Sequence, residues 1–255
     1  MRRIAAAVIS TLVIVLMFIQ PVSATGVATM TIPDREGDLG KSGYMAVLND
    51  EGDWIFEPWV PWQDTTQLGS AGYLDILDAW VTLEGSANKV KTATMGMTVA
   101  SPLVVGETTI PDGVKMVRWA WFFYEDDVPF HGDYYIFLDW YGDAFAVYLV
   151  DYAVTDKTMP LLPPTTSMDF DKSVEFQTFV NEDGIERMSI RVTIDERAIL
   201  DKVLEGNYWF FETQYVYSAE FEDGQSGGWW AIDMTDSSSD PTVYTDLPWW
   251  PMPVL

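Results

Sequence analysis

Residues 133–152 have the sequence DYYIFLDWYGDAFAVYLVDY, in which two apolar, aromatic-rich runs flank Gly142 and Asp143. A Gly-Asp pair between such runs predicts a β-hairpin with a two-residue turn, because glycine tolerates the positive φ that tight turns require. The turn also sets the register, since a slip of one residue would move every side chain to the opposite face. The expected cross-strand pairs are Tyr141 with Ala144, Trp140 with Phe145, Leu138 with Val147, and Ile136 with Leu149.

This register gives the hairpin two different faces. One face is almost wholly apolar and is predicted to belong to the core; it carries Trp140, Phe145, Leu138, Val147, Ile136 and Leu149. The other face mixes rings with a carboxylate; it carries Tyr141, Asp139, Phe137, Tyr148, Tyr135 and Tyr152. We expect this second face to be either another packed layer or a surface that binds a ligand.

Aromatic rings beside carboxylates suit a carbohydrate site. Rings stack on the apolar faces of pyranoses, and carboxylate oxygens accept hydrogen bonds from sugar hydroxyls. The candidate ligand-binding residues are Tyr135, Phe137, Asp139, Tyr141 and Tyr148. The alternative is that these rings are buried beneath the N-terminal or C-terminal segment, since large exposed aromatic patches are uncommon on monomeric proteins.

Further strands follow from the alternation of apolar and polar residues with a period of two. The alternating segments are residues 73–84, 90–99, 116–124 and 208–221. In contrast, Pro160, Pro163 and Pro164 predict a break in the chain over residues 159–167, because proline donates no hydrogen bond to a neighbouring strand.

A second hairpin is predicted over residues 174–194, with Glu182, Asp183 and Gly184 as its loop. A three-residue loop with Gly184 in the left-handed region keeps apolar residues opposite apolar residues. The expected pairs are Phe176 with Ile190 and Val174 with Val192 on one face, and Glu175 with Arg191 and Gln177 with Ser189 on the other.

A single short helix is predicted over residues 196–204. Asp195 is the expected N-cap, Ile194 and Ile199 are spaced as a hydrophobic staple, and Gly206 ends the helix. Seven or more strands, frequent turn signals and one helix predict an all-β fold. The expected architecture is an antiparallel β-sandwich, jelly-roll-like, with one short helix.

The N-terminus, residues 1–24, has the pattern of a secretory signal peptide. Arg2 and Arg3 precede an uncharged apolar run over residues 4–19, and small residues lead to Ala24, the expected cleavage site. An uncleaved membrane anchor is the alternative, but the run is shorter than the ~20 residues that span a bilayer. We therefore expect a secreted or cell-surface protein with no transmembrane segment after the leader.

The remaining chain divides into three parts by composition. Residues 25–72 are acidic and turn-rich, and are predicted to be an irregular lead-in with one edge hairpin. Residues 73–222 show no shift in composition and form the predicted β-sandwich domain. Residues 223–255 are rich in Gly, Ser, Pro and Trp, and are predicted to be a tail with short strands over 229–233 and 243–244.

The chain is strongly acidic. Its formal net charge is −25, and loss of the two leader arginines changes this to −27. Such a chain repels nucleic acid and anionic membranes and attracts cations, so nucleic acid is not an expected partner. The sequence contains no cysteine, which excludes disulfides and thiolate metal sites.

Acidic turns offer candidate calcium ligands, because Ca²⁺ binds six to eight oxygens from carboxylates and carbonyls. The densest group is Glu125, Asp126 and Asp127 with Asp133, and a second group contains Asp233, Asp236 and Asp240. Neither group has the spacing of an EF-hand loop. Calcium is therefore a candidate cofactor; the alternative is that these residues only form turns, in which Asp is common.

The order of several segments carries a family resemblance. Residues 73–76 (YLDI) lead into Ala79, Trp80 and Val81, an aromatic strand ends in the acidic residues 125–127, and residues 135–139 and 190–194 (IRVTI) form later strands. In this order, residues 64–221 resemble secreted prokaryotic β-sandwich modules, including the family-nine carbohydrate-binding modules and DOMON-like domains. The resemblance implies a sugar or haem ligand and structural calcium. No haem is expected, because haem-binding relatives commonly use Met and His ligands and the single histidine, His131, lies in a turn.

Catalysis has little support in the sequence. A Ser-His-Asp arrangement would need His131, and no Gly-x-Ser-x-Gly turn is present to hold a nucleophile. A glycosidase that uses two carboxylates stays open, with Glu212 as the acid to test, and no catalytic residue is assigned. We expect an exported, non-catalytic module that binds extracellular carbohydrate. The alternative is a cell-surface structural or assembly protein, with calcium-stabilised acidic loops and another surface protein as its partner.

Overall fold

Two antiparallel β-sheets share one hydrophobic core between their inner faces. The computed structural model describes residues 26–37, 39, 44–48, 54–58, 71–86, 89–124, 134–151, 157–165, 174–216, 228–235 and 250–254. The predicted all-β fold, an antiparallel β-sandwich with one short helix, is confirmed for this part of the chain.

The strands fall into a five-stranded and a nine-stranded sheet. In chain order they are β1 (Gly26–Pro33), β2 (Tyr44–Leu48), β3 (Trp54–Pro58), β4 (Ile76–Ser86), β5 (Lys89–Val99), β6 (Met116–Tyr124), β7 (Tyr134–Trp140), β8 (Phe145–Asp151), β9 (Lys157–Thr165), β10 (Val174–Val180), β11 (Glu186–Ile194), β12 (Tyr208–Val216), β13 (Gly228–Met234) and β14 (Trp250–Pro251). The smaller sheet has the order β1-β4-β5-β11-β10. The larger has the order β3-β2-β13-β12-β6-β7-β8-β9, with β14 paired to β12. The helix α1 (Arg197–Glu205) connects β11 to β12.

The core forms because alternate residues of each strand point inward. From β6 it receives Val117, Trp119, Trp121 and Phe123, and from β5 it receives Ala93, Met95, Met97 and Val99. The two sheets touch through rings, since Trp119 of the larger sheet lies edge-on to Phe176 of the smaller, with centroids 6.1 Å apart. Burying such rings supplies the main driving force for the sandwich.

The central hairpin forms in the predicted register. Trp140 pairs with Phe145, Leu138 with Val147, and Ile136 with Leu149. The amide of Tyr141 donates to the carbonyl of Ala144 over 2.8 Å, and Gly142 has φ +96°. The apolar face of the hairpin lies in the core, as predicted.

The predicted register of the second hairpin is confirmed. The predicted helix is also present, although it begins one residue later than expected. Phe176 pairs with Ile190 and Glu175 with Arg191, and Gly184 has φ +78°. The predicted cap, however, is displaced by one residue: α1 begins at Arg197 with Glu196 as N-cap, and Glu196 makes no side-chain capping bond. The carbonyl of Glu196 instead accepts from the amide of Leu200 over 2.9 Å, so Asp195 lies outside the helix.

The chain around residue 73 turns before the strand begins, whereas the sequence predicted a strand from that residue. Residues Gly72–Leu74 form a 3₁₀ turn. The indole of Trp119 donates to the Tyr73 carbonyl over 3.0 Å, and the Thr213 hydroxyl donates to the Leu74 carbonyl over 2.7 Å. Because side chains of the larger sheet take these carbonyls, β4 begins only at Ile76.

Two segments predicted as irregular contain strands. Pro160, Pro163 and Pro164 do not break the chain, because they lie in β9, an edge strand of the larger sheet where one side needs no hydrogen-bond donors. The acidic lead-in contributes β1 to the smaller sheet besides the expected hairpin, β2 with β3. In the C-terminal tail β13 covers the predicted strand over 229–233, whereas residues 243–244 lie outside the described ranges.

Within the described ranges, no helix has the length and apolar character needed to cross a membrane. The predicted leader, residues 1–24, lies outside those ranges.

Candidate functional site

The five predicted ligand-binding residues lie on the outward face of the larger sheet, with very different exposures. Tyr135, Phe137 and Asp139 are buried, Tyr148 is half-buried, and Tyr141 is 42% exposed. The face therefore has two parts, an aromatic part at one end of β7 and a polar part at the other.

The aromatic part is a compact layer of rings, called here the aromatic cluster. Its members are Ala120, Phe122, Tyr124, Tyr135, Phe137, Val150 and Phe210, with Tyr208 packed against them. Phe122 lies at its centre: its ring is 4.6 Å from Tyr135 and is stacked on Phe210 at 4.6 Å. Tyr135 and Phe137 thus pack against other rings, as expected if this face is a packed layer.

The polar part, called here the polar end, consists of Arg118, Asp139, Tyr141, Tyr148 and Gln214. Arg118 binds Asp139 through two hydrogen bonds, Nε to Oδ1 at 2.6 Å and Nη2 to Oδ2 at 2.9 Å. The guanidinium also lies 3.9 Å from the ring centroid of Phe137. Both oxygens of Asp139 thus accept hydrogen bonds from Arg118 within the protein.

Tyr141 is the accessible ring of the polar end. Burial of its phenol, the charge of Asp139 and a hydrogen bond with Tyr148 together raise the pKa of Tyr141 above its ordinary value of 10.0. Tyr141 therefore stays neutral near pH 7 and presents both a ring face and a hydroxyl. A sugar ring could stack on this ring while its hydroxyls hydrogen-bond the phenol.

Gln214 adds a buried acceptor with no donor. Its amide nitrogen donates to Oε1 of Glu212, and its own Oε1 has no hydrogen-bond partner. Gln214 lies opposite Arg118 in the register of β12 and β6. Gln214 is 1% exposed, so this oxygen lies inside the packed face and not on its accessible surface.

Glu212, the acid singled out for a glycosidase, is fully buried on β12. It pairs with Ala120 across the sheet and accepts a hydrogen bond from Gln214. Arg118 pairs with Asp139, and Arg187 pairs with Glu36. The contacts of Glu212 described here are those of a carboxylate within a packed face.

The predicted calcium ligands Glu125, Asp126, Asp127 and Asp133 lie outside the described residues, as do His131, Tyr152, Asp236 and Asp240. Asp233 is described and is buried. Its Oδ2 accepts from the Ile76 amide over 2.6 Å, and its Oδ1 accepts from the Met234 amide over 3.0 Å. Asp233 thus ties β13 to the start of β4, and no group of three metal-ligating side chains occurs in the described part of the chain.

A second outward face, on the smaller sheet, was not singled out from the sequence. It is called here the threonine face, and its residues are Thr29, Thr31, Asp78, Trp80, Thr82, Thr94, Gly96, Thr98, Glu175, Ser189, Arg191 and Thr193. Hydroxyls pair across strands, Thr29 with Thr82 at 3.0 Å and Thr94 with Thr193 at 3.1 Å. Burial raises the pKa of Asp78, offset in part by the hydroxyl of Thr98, which donates to it over 3.1 Å.

Trp80 is the aromatic ring at the centre of the threonine face, and Phe179 lies at the β10 edge of the same side of the sheet. Trp80 pairs with Gly96 across β4 and β5, and its indole occupies the space above that glycine. The signal for this arrangement was a glycine inside an alternating strand, which marks the close approach of another group.

The chain matches no protein-family model, and a search against curated proteins returns no match. The resemblance to carbohydrate-binding and DOMON-like modules stays a prediction.

Proposed function

We propose that this chain is an exported, non-catalytic β-sandwich that binds extracellular carbohydrate at the polar end of the larger sheet. The observation that carries the proposal is the placement of Tyr141: its exposed ring lies on the same face as the Arg118–Asp139 ion pair and the half-buried ring of Tyr148. A ring beside charged hydrogen-bonding groups is the arrangement that sugar recognition requires.

The phenols of Tyr141 and Tyr148 support a ligand rich in hydroxyl groups. A hydroxyl is a donor and an acceptor at once, so it can bond a phenol and still bond a neighbouring group. The net charge of −25 favours a neutral or basic glycan over an anionic one, because like charges repel.

The proposal is tested by titrating a panel of neutral oligosaccharides against Tyr141→Ala and a matched control, Phe179→Ala. Phe179 is also an exposed ring, 37% accessible, but lies on β10 of the other sheet. We expect Tyr141→Ala to weaken binding about tenfold, as the loss of one stacked ring predicts, while Phe179→Ala binds like the unaltered protein. Equal affinities for the two variants would contradict the proposal.

A second candidate function, a cell-surface assembly protein, is favoured by the edge of the smaller sheet. Strand β10 ends that sheet, and exposed apolar side chains follow along it and its turn, namely Phe179, Val180 and Ile185. The strand contains neither Lys nor Pro, the residues that commonly prevent a sheet edge from pairing with another strand. In this proposal an extended segment of a partner protein pairs with β10, and Ca²⁺ stabilises the acidic loops.

Two measurements separate this candidate from the first. Val180→Lys should abolish association seen by sedimentation, because a charge would then face the incoming strand. The melting temperature should rise with Ca²⁺ and fall with EDTA if the acidic loops bind the ion. A monomer whose melting temperature is the same in Ca²⁺ and in EDTA would eliminate the assembly function.

A further inference from the structure

The indole of Trp80 lies over the backbone of Gly96 on the smaller sheet. A Cβ atom at Gly96 would lie 2.3 Å from Cζ2 and 2.7 Å from Cε2 of Trp80. A side chain at position 96 would therefore require the indole to move. Gly96 is therefore the residue that allows this ring orientation. Glycine inside a strand is less stable than alanine. The glycine at position 96 therefore lowers the stability of β5 but leaves room for the indole.

The ring remains partly exposed, because the surrounding side chains are short. Along the same face Thr82 follows Trp80 on β4, and Thr94 precedes Gly96 on β5. These threonines are partly exposed, and Thr29 and Thr31 on β1 are exposed. Trp80 thus presents a fixed aromatic surface on an otherwise hydroxylated sheet.

A row of threonine hydroxyls lies beside the Trp80 ring and crosses four strands. Thr29, Thr82, Thr94 and Thr193 form one row in the observed registers of β1, β4, β5 and β11. Adjacent strands lie about 4.8 Å apart, so the row is roughly 14 Å long. Each hydroxyl in the two cross-strand pairs keeps capacity for a further hydrogen bond, because a hydroxyl carries one proton and two lone pairs.

An ion pair completes the row that contains Trp80. Gly96 is flanked by Arg191 of β11, which pairs in turn with Glu175 of β10. Arg191 and Glu175 are joined through the guanidinium, and their side chains remain 41% and 44% exposed. The pair is neutral as a whole and offers both donors and acceptors to a ligand beside the indole.

We propose that the threonine face is a binding platform for an extended, uncharged polysaccharide. Trp80 stacks on one pyranose ring, while the threonine hydroxyls and the Arg191–Glu175 pair hydrogen-bond neighbouring units. The face is a row of short side chains on a sheet rather than a cavity, and it is several sugar units long, which suits a chain more than a single sugar. The acidic charge of the protein disfavours polyanions. This site lies on the opposite sheet from Tyr141 and does not depend on the polar end.

The experiment measures binding to insoluble and soluble neutral β-glucan, xylan and mannan, with polygalacturonate as the anionic comparison. Trp80→Ala is compared with Val27→Ala, an exposed residue at the edge of the same sheet. Both are made in the unaltered chain and in a Tyr141→Ala background, so that Trp80 is scored with and without the polar end. Unfolding curves verify that each variant is folded.

We expect one or more neutral polysaccharides to bind, and Trp80→Ala to weaken that binding about tenfold in the Tyr141→Ala background, where the polar end no longer contributes, with Val27→Ala unchanged. Trp80→Phe should restore part of the loss, because it keeps a ring, and Gly96→Ala should weaken binding by lifting the indole. Equal binding of Trp80→Ala and Val27→Ala in the Tyr141→Ala background, preference for polygalacturonate, or no binding of any neutral polysaccharide would overturn the proposal.

Discussion

The outward faces of the two sheets are built from different residues and are used differently. On the larger sheet, β6, β7 and β12 carry rings on both faces, and the outward rings are buried in the aromatic cluster. On the smaller sheet, threonines cover the centre of the outward face, Trp80 is the ring among them, and Phe179 lies at the β10 edge. Many rings together stabilise each other by mutual burial, whereas a ring surrounded by hydroxyls stays accessible. An abundance of aromatic residues therefore marks packing, and a single ring on a polar sheet is the better sign of a ligand surface.

The same contrast holds for two arginine–carboxylate pairs. Arg118 and Asp139 are 14% and 1% exposed, whereas Arg191 and Glu175 are 41% and 44% exposed. The first pair holds together a packed face, and the second is free to change partners.

Phe122→Ala should lower the free energy of unfolding by about 3–5 kcal/mol, because it removes the ring at the centre of the aromatic cluster and leaves a cavity. The matched variant Phe179→Ala, on the edge of the smaller sheet, should cost less than about 1 kcal/mol. Urea unfolding of the two variants measures the difference. Similar losses would show that the outward face of the larger sheet is not a second packed layer.

Arg118→Ala should cost about 2–4 kcal/mol, since it leaves the buried carboxylate of Asp139 without its partner. Arg191→Ala should cost only about 0.2–1 kcal/mol, because water can replace the exposed partner of Glu175. Both values come from the same unfolding assay. A loss of more than about 2 kcal/mol in Arg191→Ala would remove the distinction between the two faces.

Tyr141 should make stability depend on pH in the alkaline range. Its pKa is raised in the folded protein, whereas an unfolded tyrosine titrates near its ordinary value of 10.0. The contribution of Tyr141 is therefore complete below pH 10 and falls as the pH rises from 10 toward the folded pKa. Unfolding experiments from pH 8 to 11.5, pH values chosen to bracket the tyrosine pKa of about 10, should show a shallower decline for Tyr141→Phe than for the unaltered protein. If the stability of both proteins declined equally with pH, the pKa of Tyr141 would not be raised by its surroundings in the polar end.

Gly96→Ala should have the smallest effect on stability, within about 1 kcal/mol, because alanine favours the strand but forces the Trp80 ring to move. The expected result is a change in the chemical labelling of Trp80 without loss of the fold. Thr94→Ala, on the same strand, serves as the control and should leave Trp80 labelling unaltered. If Gly96→Ala left it unaltered as well, the indole would not depend on the glycine for its orientation.

Local features of the fold were predictable from the sequence, and distant pairings were not. The turn at Gly142 sets which side chains of β7 and β8 point inward, so that register could be read directly. Strand β1 was missed because its partner β4 lies some fifty residues further along the chain, and no local pattern encodes that pairing. The prolines of β9 were misread because the sequence does not reveal which strand is at an edge.

The candidate site was predictable only in part, for a related reason. A period of two assigns Tyr135 and Tyr141 to one face, but it does not tell whether that face is covered, and only Tyr141 is exposed. The approach of Trp80 to Gly96 depends on the β4–β5 register, which shifts between Glu84 and Gly85. A register counted from the β4–β5 turn without this shift would place other residues beside the indole.

Hydroxyl-radical footprinting of the intact protein, read residue by residue by mass spectrometry, tests the contrast between the two faces most directly. We expect Trp80 and Tyr141 to be oxidised rapidly while Phe122 and Tyr135 are protected in the same sample. Protection of Trp80 together with rapid oxidation of Phe122 and Tyr135 would contradict this expectation, and would return the ligand surface to the aromatic cluster.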